Sequence, residues 1–144
     1  MDIASFMESY KRAWETSDER ALVALFAENG VYHNTPFAEQ RGHAAIAAYW
    51  QRTKLQRDIR VRCEALAEHA RGGVFHWHVT YQVASEELFR MWATSAGTNL
   101  IARKPGDLLP RLALDGVAVV EWNDAGLCEH FRLWWHSVVA EPGS

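Results

Sequence analysis

The hydrophobic period of the chain changes once along its length, and this change constrains the fold more than any other feature. Near the start, the apolar residues Ile3, Phe6, Tyr10 and Trp14 recur at the spacing of an amphipathic helix. From Ile59 onwards, apolar residues alternate with polar ones, which is the pattern of half-buried strands. Helices followed by strands predict an α+β fold rather than a series of βαβ units.

The same patterns predict the order of the individual elements. Three helices are expected, over residues 2–15, from Ala21 to a stop at Asn29-Gly30, and over residues 43–52. Strands are expected at residues 31–34, 59–66, 74–83, 109–122 and 127–138, with a hairpin turn at 123–126. The segment 85–108 has no clear period, apart from a possible helical turn at SEELFRMW.

Composition limits the partners and the location. A length of 144 residues is typical of one domain, and the net charge of -3 leaves no basic surface for nucleic acid. No apolar run is long enough to cross a membrane, and the N-terminus lacks the pattern of a signal peptide. Cys63 and Cys128 are isolated, which argues against a cysteine-ligated metal and fits a reducing compartment. We therefore expect a cytoplasmic protein without a metal or cofactor.

Seven tryptophans are more than a chain of this length needs for an ordinary core. A buried indole requires packing for its ring and a partner for its N–H, so the excess indicates an aromatic core, a ligand pocket or an interface. Tyr10, Asn34 and Tyr81 are expected to converge on the aromatic face of the sheet. Polar groups at such a place favour a pocket for a small hydrophobic molecule over a filled core.

Four segments carry a resemblance to a known family. They are YKRAWETSD, LFAENGVYHNTPF, RGHAAIAAYW and LDGVAVVEWNDAGLCEHFRLWWH. Together they resemble the SnoaL-like domains of the nuclear-transport-factor-2-like superfamily, which includes polyketide cyclases, ketosteroid isomerases and limonene epoxide hydrolases. The resemblance implies a cone-shaped, strongly curved antiparallel sheet wrapped around the N-terminal helices, a cystatin-like α+β barrel. It implies a single domain over residues 1–140, with an atypical insertion at 85–108.

The resemblance also suggests catalytic residues, although this fold hosts many different reactions. Ketosteroid isomerases use a tyrosine of the first helix, a carboxylate base on the first strand and a protonated acid on the penultimate strand. The matching residues are Tyr10, Asn34 and Ala118. Asn34 cannot relay a proton and Ala118 cannot donate a hydrogen bond, which argues against ketosteroid-type isomerisation. A base would have to come from His33 or a displaced strand histidine, so the candidate catalytic residues are Tyr10, Asn34 and His33.

The resemblance further implies which strand faces line the pocket. The predicted lining consists of Trp14, Phe26, Trp50, Val61, Cys63, Phe75, Trp77, Val79, Tyr81, Ala118, Phe131, Leu133 and Trp135. The opposite face of the sheet, which commonly forms a homodimer interface in this superfamily, would carry His76, His78, His130, Trp134 and His136.

Two alternatives remain open for the histidines. His76 and His78 could form a zinc or iron site with His130 or His136, or a one-residue register slip could turn them into the pocket. The function is likewise open. It is a cofactor-independent isomerase, cyclase, dehydratase or hydrolase of a small apolar molecule, or a non-catalytic ligand-binding or dimeric interaction protein of the same fold.

Overall fold

The protein consists of one six-stranded sheet with helices packed against it, in a computed structural model that describes residues 1–95, 103–104 and 106–140. The helices are α1 (Ile3–Glu15), α2 (Glu19–Val23), α3 (His43–Trp50) and α4 (Glu86–Ala93), and a 3₁₀ helix (Gln51–Leu55) follows α3 directly. The strands are β1 (Phe26–Thr35), β2 (Ala38–Arg41), β3 (Gln56–His69), β4 (Gly72–Val83), β5 (Arg111–Trp122) and β6 (Cys128–Val139). The predicted α+β class is confirmed.

The strand order in the sheet is β2-β1-β6-β5-β4-β3. Strands β3 to β6 form an antiparallel meander, as the alternating pattern predicted. β6 then lies parallel to β1, so the sheet is mixed rather than wholly antiparallel. The sheet is not closed, and β2 and β3 form its two edges. None of the helices in the described part of the chain is long and apolar enough to cross a membrane.

Helix α1 is fixed to the edge strand β3 at both of its ends. Asp2 caps the helix by accepting a hydrogen bond from the N–H of Ser5 at 2.7 Å. The carboxylate of Glu68 on β3 accepts from the N–H of Ile3 at 2.6 Å, and Glu15 accepts from the N–H of Val61 at 2.9 Å. Backbone donors at a helix start and on an edge strand thereby find partners.

Two local predictions were wrong. The second helix ends at Val23 instead of continuing to Asn29-Gly30, which lie within β1. A Cβ atom at Gly30 would lie 2.8 Å from the carbonyl oxygen of Cys128, so this glycine permits the close approach of β1 and β6 and does not end a helix. Residues 38–41, expected as a loop, form β2.

The middle of the chain is only partly described. The helical turn expected at SEELFRMW is confirmed as α4. Residues 96–102 and 105 of the proposed insertion lie outside the described residues.

Aromatic rings form the centre of the core between α1 and the sheet. Phe6, Tyr10, Phe75 and Phe131 are all fully buried. The ring of Tyr10 lies 5.4 Å from that of Phe131 and 5.7 Å from that of Phe75, measured between centroids. These separations are typical of packed aromatic pairs. At this end of the molecule the rings fill the interior, and the space available to a ligand lies elsewhere.

Candidate functional site

A cavity of about 270 Å³ lies beside this aromatic core, between the sheet, the segment from α3 to the 3₁₀ helix, and α4. Most of its wall is aromatic or aliphatic. Its lining residues are Trp14, Tyr32, Asn34, Thr35, Tyr49, Trp50, Arg52, Thr53, Gln56, Trp77, Tyr81, Leu88, Met91, Trp92, Ser95, Leu114, Leu133 and Trp135. An apolar concavity with a few polar groups is the usual form of a small-molecule site.

Two indole N–H groups in the wall have hydrogen-bond partners within the wall itself, whereas Trp77 Nε1 is buried without one. Trp14 Nε1 donates to Oε1 of Gln56 at 2.7 Å, in a fully buried contact. Trp135 Nε1 donates to the backbone oxygen of Asn34, also at 2.7 Å. Because these bonds fix the indole planes, the shape of the cavity is set before any ligand enters.

Helix α4 forms one side of the cavity. Ser85 caps the helix by accepting a hydrogen bond from the N–H of Leu88, and Leu88, Met91 and Trp92 line the cavity. Trp92 Nε1 donates to Oγ of Ser137 on β6 at 2.8 Å, in a buried contact. This bond anchors α4 to the sheet, so the wall that α4 supplies is an integral part of the fold.

The ionisable groups of the lining are three phenols and one guanidinium. Among the described residues the lining contains no Asp, Glu, His, Cys or Lys. Burial raises the pKa of Tyr32, Tyr49 and Tyr81 above that of an ordinary phenol. At neutral pH these hydroxyls are therefore uncharged and can donate or accept hydrogen bonds.

Arg52 is held above the ring of Tyr49 at the side of the cavity. Its guanidinium carbon lies 3.7 Å from the ring centroid, and its Nε donates to the backbone oxygen of Tyr49 at 3.0 Å. This stacked geometry is a cation–π contact that fixes the direction of the side chain.

The predicted site residues divide between the cavity and the core. Those that line the cavity are Trp14, Asn34, Trp50, Trp77, Tyr81, Leu133 and Trp135. Those that lie buried outside its lining are Tyr10, Phe26, Val61, Phe75, Val79, Ala118 and Phe131. His33 and Cys63 are half-buried and also lie outside the lining. Burial raises the pKa of the Cys63 thiol to about 11, so this cysteine is not a reactive thiolate.

Of the candidate catalytic residues, Asn34 alone reaches the cavity. Tyr10 is fully buried, and its hydroxyl has no hydrogen-bond partner of acceptable geometry. Burial raises the pKa of Tyr10 well above its ordinary value, and the nearby hydroxyl of Tyr32 raises it further. Asn34 Oδ1 accepts from Nε2 of Gln40 at 3.3 Å, which leaves the NH₂ group of Asn34 to donate to a ligand.

The comparison with known families agrees with this fold. The family model described as the SnoaL-like domain matches residues 7–130, most of the chain. The chain belongs to the SnoaL-like domain family. It has no significant match among curated protein sequences.

Solved structures similar to this SnoaL-like domain share its fold across almost the whole chain. The epoxide hydrolase/cyclase-like enzyme SalBIII of salinomycin pyran ring formation has a TM-score of 0.69, 15% identity and 95% coverage of each chain. The Δ5-3-ketosteroid isomerase from Mycobacterium sp. has a TM-score of 0.68 and 18% sequence identity, with 96% of this chain and 98% of that one covered. A Mycobacterium tuberculosis protein in complex with estradiol-17beta-hemisuccinate has a TM-score of 0.66 and 16% sequence identity, with 94% of this chain and 96% of that one covered.

The strand histidines of this SnoaL-like domain lie on the outer face of the sheet. His76 Nε2 is 2.9 Å from Oδ1 of Asp115, and His78 Nδ1 is 2.7 Å from its Oδ2. Partial burial of Asp115 alone would raise its pKa, but the hydrogen bonds from both histidines outweigh this effect and lower the pKa. The β4–β5 register has no slip, so neither histidine turns into the cavity. Among the described residues no group of His, Cys, Asp or Glu side chains could hold a metal ion.

Several cavity residues were not predicted. The sequence left open whether Tyr32 or His33 reaches the cavity beside Asn34, and the structure places Tyr32 there, two residues before Asn34 on the same strand. Tyr49 and Arg52 are three residues apart across the end of α3, and helical spacing places such a pair side by side. Met91 and Trp92 belong to an apolar face of segment 85–108 that the sequence left open between a cover for the cavity and a dimer contact, and only the three-dimensional fold shows that α4 lines the cavity.

Proposed function

We propose that this SnoaL-like domain binds a small, largely apolar molecule without performing acid–base chemistry on it and without a cofactor. The observation that carries the proposal is the composition of the described cavity lining, which contains no carboxylate, imidazole, thiol or amine. General acid–base catalysis requires a group that can exchange a proton near neutral pH. The raised pKa values of the cavity phenols and the permanent charge of Arg52 do not meet that requirement.

Similar solved structures support the ligand class. One of these proteins is in complex with estradiol-17beta-hemisuccinate, and another is a designed binder of 17-OHP. In the present chain, the NH₂ group of Asn34 and the hydroxyls of Tyr32 and Tyr81 would orient the polar edge of such a ligand, while the surrounding rings exclude water.

A fluorescence titration with N-phenyl-1-naphthylamine tests the binding. This neutral aromatic probe emits strongly only in an apolar site, and we expect saturable binding with one site per chain. Leu133→Trp fills part of the cavity and should weaken binding about tenfold or more, because overpacking leaves less space for the probe. The matched control is Leu66→Trp, the same substitution at a position of β3 that is 56% exposed and outside the cavity lining, which should bind like the wild type. Equal affinity of all three proteins would contradict the proposal.

A turnover assay tests the absence of acid–base chemistry. The protein is incubated with a Δ5-3-ketosteroid, and formation of the conjugated enone is followed by ultraviolet absorbance. We expect the steroid to compete with the fluorescent probe without being isomerised faster than in buffer. Saturable enone formation that the Leu133→Trp variant loses would show that the cavity is an active site.

We also propose that two copies associate through the outer face of the sheet. Trp134 is 43% exposed there, and Val138, two side chains further along the same face of β6, is apolar and 45% exposed. Light scattering after gel filtration should give a dimer that Trp134→Glu converts to a monomer, because a charge in an apolar contact is unfavourable. The control is Phe37→Glu, at a fully exposed position in the β1–β2 turn. A wild-type monomer would contradict this proposal.

The remaining proposals concern organisation and location. The chain would form one domain over residues 1–140, with 85–108 as an insertion that contributes α4 to the cavity. Cys63 and Cys128 are both free thiols, which is consistent with the reducing cytoplasm that we propose as its location.

A further inference from the structure

The cavity lining contains one cation and no anion among the residues that the structure describes. The cation is Arg52, which extends from the 3₁₀ helix and is half-buried. A lone charge at the wall of an apolar cavity is unfavourable unless a ligand or solvent compensates for it. The presence of Arg52 is therefore informative about the charge of the molecule that the cavity binds.

The guanidinium of Arg52 is positioned but not neutralised. Its Nε is used by the backbone oxygen of Tyr49, and its plane is stacked on the Tyr49 ring. No carboxylate among the described residues forms an ion pair with it. Other part-buried arginines of this chain differ in this respect, since Arg103, Arg111 and Arg132 each pair with a carboxylate. The terminal nitrogens of Arg52 thus remain available as a fork of hydrogen-bond donors.

The charge of Arg52 acts on side chains in several parts of the cavity wall. It acts to lower the pKa of Tyr32, Tyr49 and Tyr81, against the larger effect of burial, which raises them. These phenols come from three different elements, so the positive potential extends across the cavity rather than to a single neighbour. An anionic group placed there would be stabilised by the same potential.

We propose that the ligand of this cavity is an apolar molecule that carries a carboxylate, with the carboxylate bound by Arg52 and the apolar body held between the aromatic rings. This inference rests on the proposed function, because it names the class of molecule that the same cavity binds. A planar guanidinium matches a carboxylate in a two-point contact, which a lysine at this place would not provide.

A matched pair of probes separates the charge from the apolar contact. Naphthalene-2-carboxylate and naphthalene-2-carboxamide have nearly the same shape, and their affinities are measured at pH 7 by displacement of N-phenyl-1-naphthylamine. We expect the carboxylate to bind about tenfold or more tightly than the amide, as is typical of a hydrogen bond to a charged group. Arg52→Gln should remove this preference, because it should reduce the affinity for the acid about tenfold more than the affinity for the amide.

The control is Arg57→Gln, which removes the same charge from an exposed position at the start of β3 and should keep the wild-type preference. Binding of the neutral probe by each variant confirms that the cavity is formed. A wild-type protein that binds both compounds equally, or an Arg52→Gln variant that keeps the preference, overturns the role of Arg52 while the proposed function stands. Failure of the wild type to bind the neutral probe, the amide and the acid overturns both.

Discussion

Tyr10 and Tyr32 place their hydroxyls in the same apolar region, but only Tyr32 lines the cavity. The Tyr10 hydroxyl is buried without a partner, and an unsatisfied buried polar group is unfavourable. We expect Tyr10→Phe to leave the free energy of unfolding unchanged or to raise it by about 1 kcal/mol. Urea denaturation measures this value, and probe binding should be unaffected.

The comparison variant for Tyr10 is Tyr32→Phe. The Tyr32 hydroxyl interacts with the side chain of Trp50, and its loss changes the polar surface of the cavity. We expect it to alter ligand affinity, unlike Tyr10→Phe. Weaker probe binding by Tyr10→Phe with an intact fold would instead show that the Tyr10 hydroxyl contributes to the cavity.

Gln56 is the only polar partner that the structure describes for the indole N–H of Trp14. The distance from Trp14 Nε1 to Gln56 Oε1 is 2.7 Å. Gln56→Leu keeps the volume but leaves this N–H buried and unsatisfied, so we expect a loss of about 1–3 kcal/mol in the free energy of unfolding. The control is Gln51→Leu, because the amide of Gln51 binds a backbone oxygen at the exposed surface. Its effect should be within about 0.5 kcal/mol. Similar stability of both variants in urea would contradict the importance of the Trp14–Gln56 bond.

At the scale of elements, Gly116 permits a close approach of β5 and β6. A Cβ atom there would lie 2.1 Å from the carbonyl oxygen of Trp134 and 2.8 Å from the side chain of Trp135. Gly116→Ala must therefore displace β6 and with it the Trp135 wall of the cavity. We expect a destabilisation of about 1–3 kcal/mol and weaker probe binding. Thermal unfolding and the fluorescence titration measure the two effects, and a variant with wild-type values in both would show that β6 shifts freely.

Strand alternation was predictable because the pleat of a strand imposes it. Phe75, Trp77, Val79 and Tyr81 face inwards along β4, as their period of two predicted. The end of the second helix was not predictable in this way. A glycine that stops a helix and a glycine that allows two strands to approach look identical in a sequence, and Gly30 is of the second kind. The parallel contact between β1 and β6 also joins distant segments, and no local pattern reports it.

At the scale of the whole molecule, the sequence could indicate the cavity side of the sheet but not the depth of each residue. Phe75 and Trp77 share one strand and one face, yet Phe75 lies in the core and Trp77 lines the cavity. Depth depends on where α1 ends and where α4 crosses the sheet. The absence of the ketosteroid carboxylates was visible from Asn34 and Ala118, whereas the cationic wall at Arg52 required the assembled fold.

The whole fold should also determine how the protein responds to alkaline pH. The chain has four tyrosines, and burial raises the pKa of every one of them above the ordinary value of 10.0. Below pH 10 the phenols are protonated in both the folded and unfolded states, so they do not affect the free energy of unfolding. Above pH 10 only the unfolded chain ionises readily, so stability falls as pH rises, by up to about 1.4 kcal/mol per pH unit for each buried phenol.

We therefore expect the phenolate absorbance to rise in one step that coincides with loss of the β-sheet circular dichroism. In a protein with exposed tyrosines, the absorbance would rise gradually near pH 10 while the fold persists. Saturation with N-phenyl-1-naphthylamine should move both signals together to higher pH, because a ligand that binds only the folded state stabilises it by mass action. Gradual phenol ionisation near pH 10 with unchanged dichroism would contradict the burial of these four hydroxyls, and with it the cavity wall that three of them help to form.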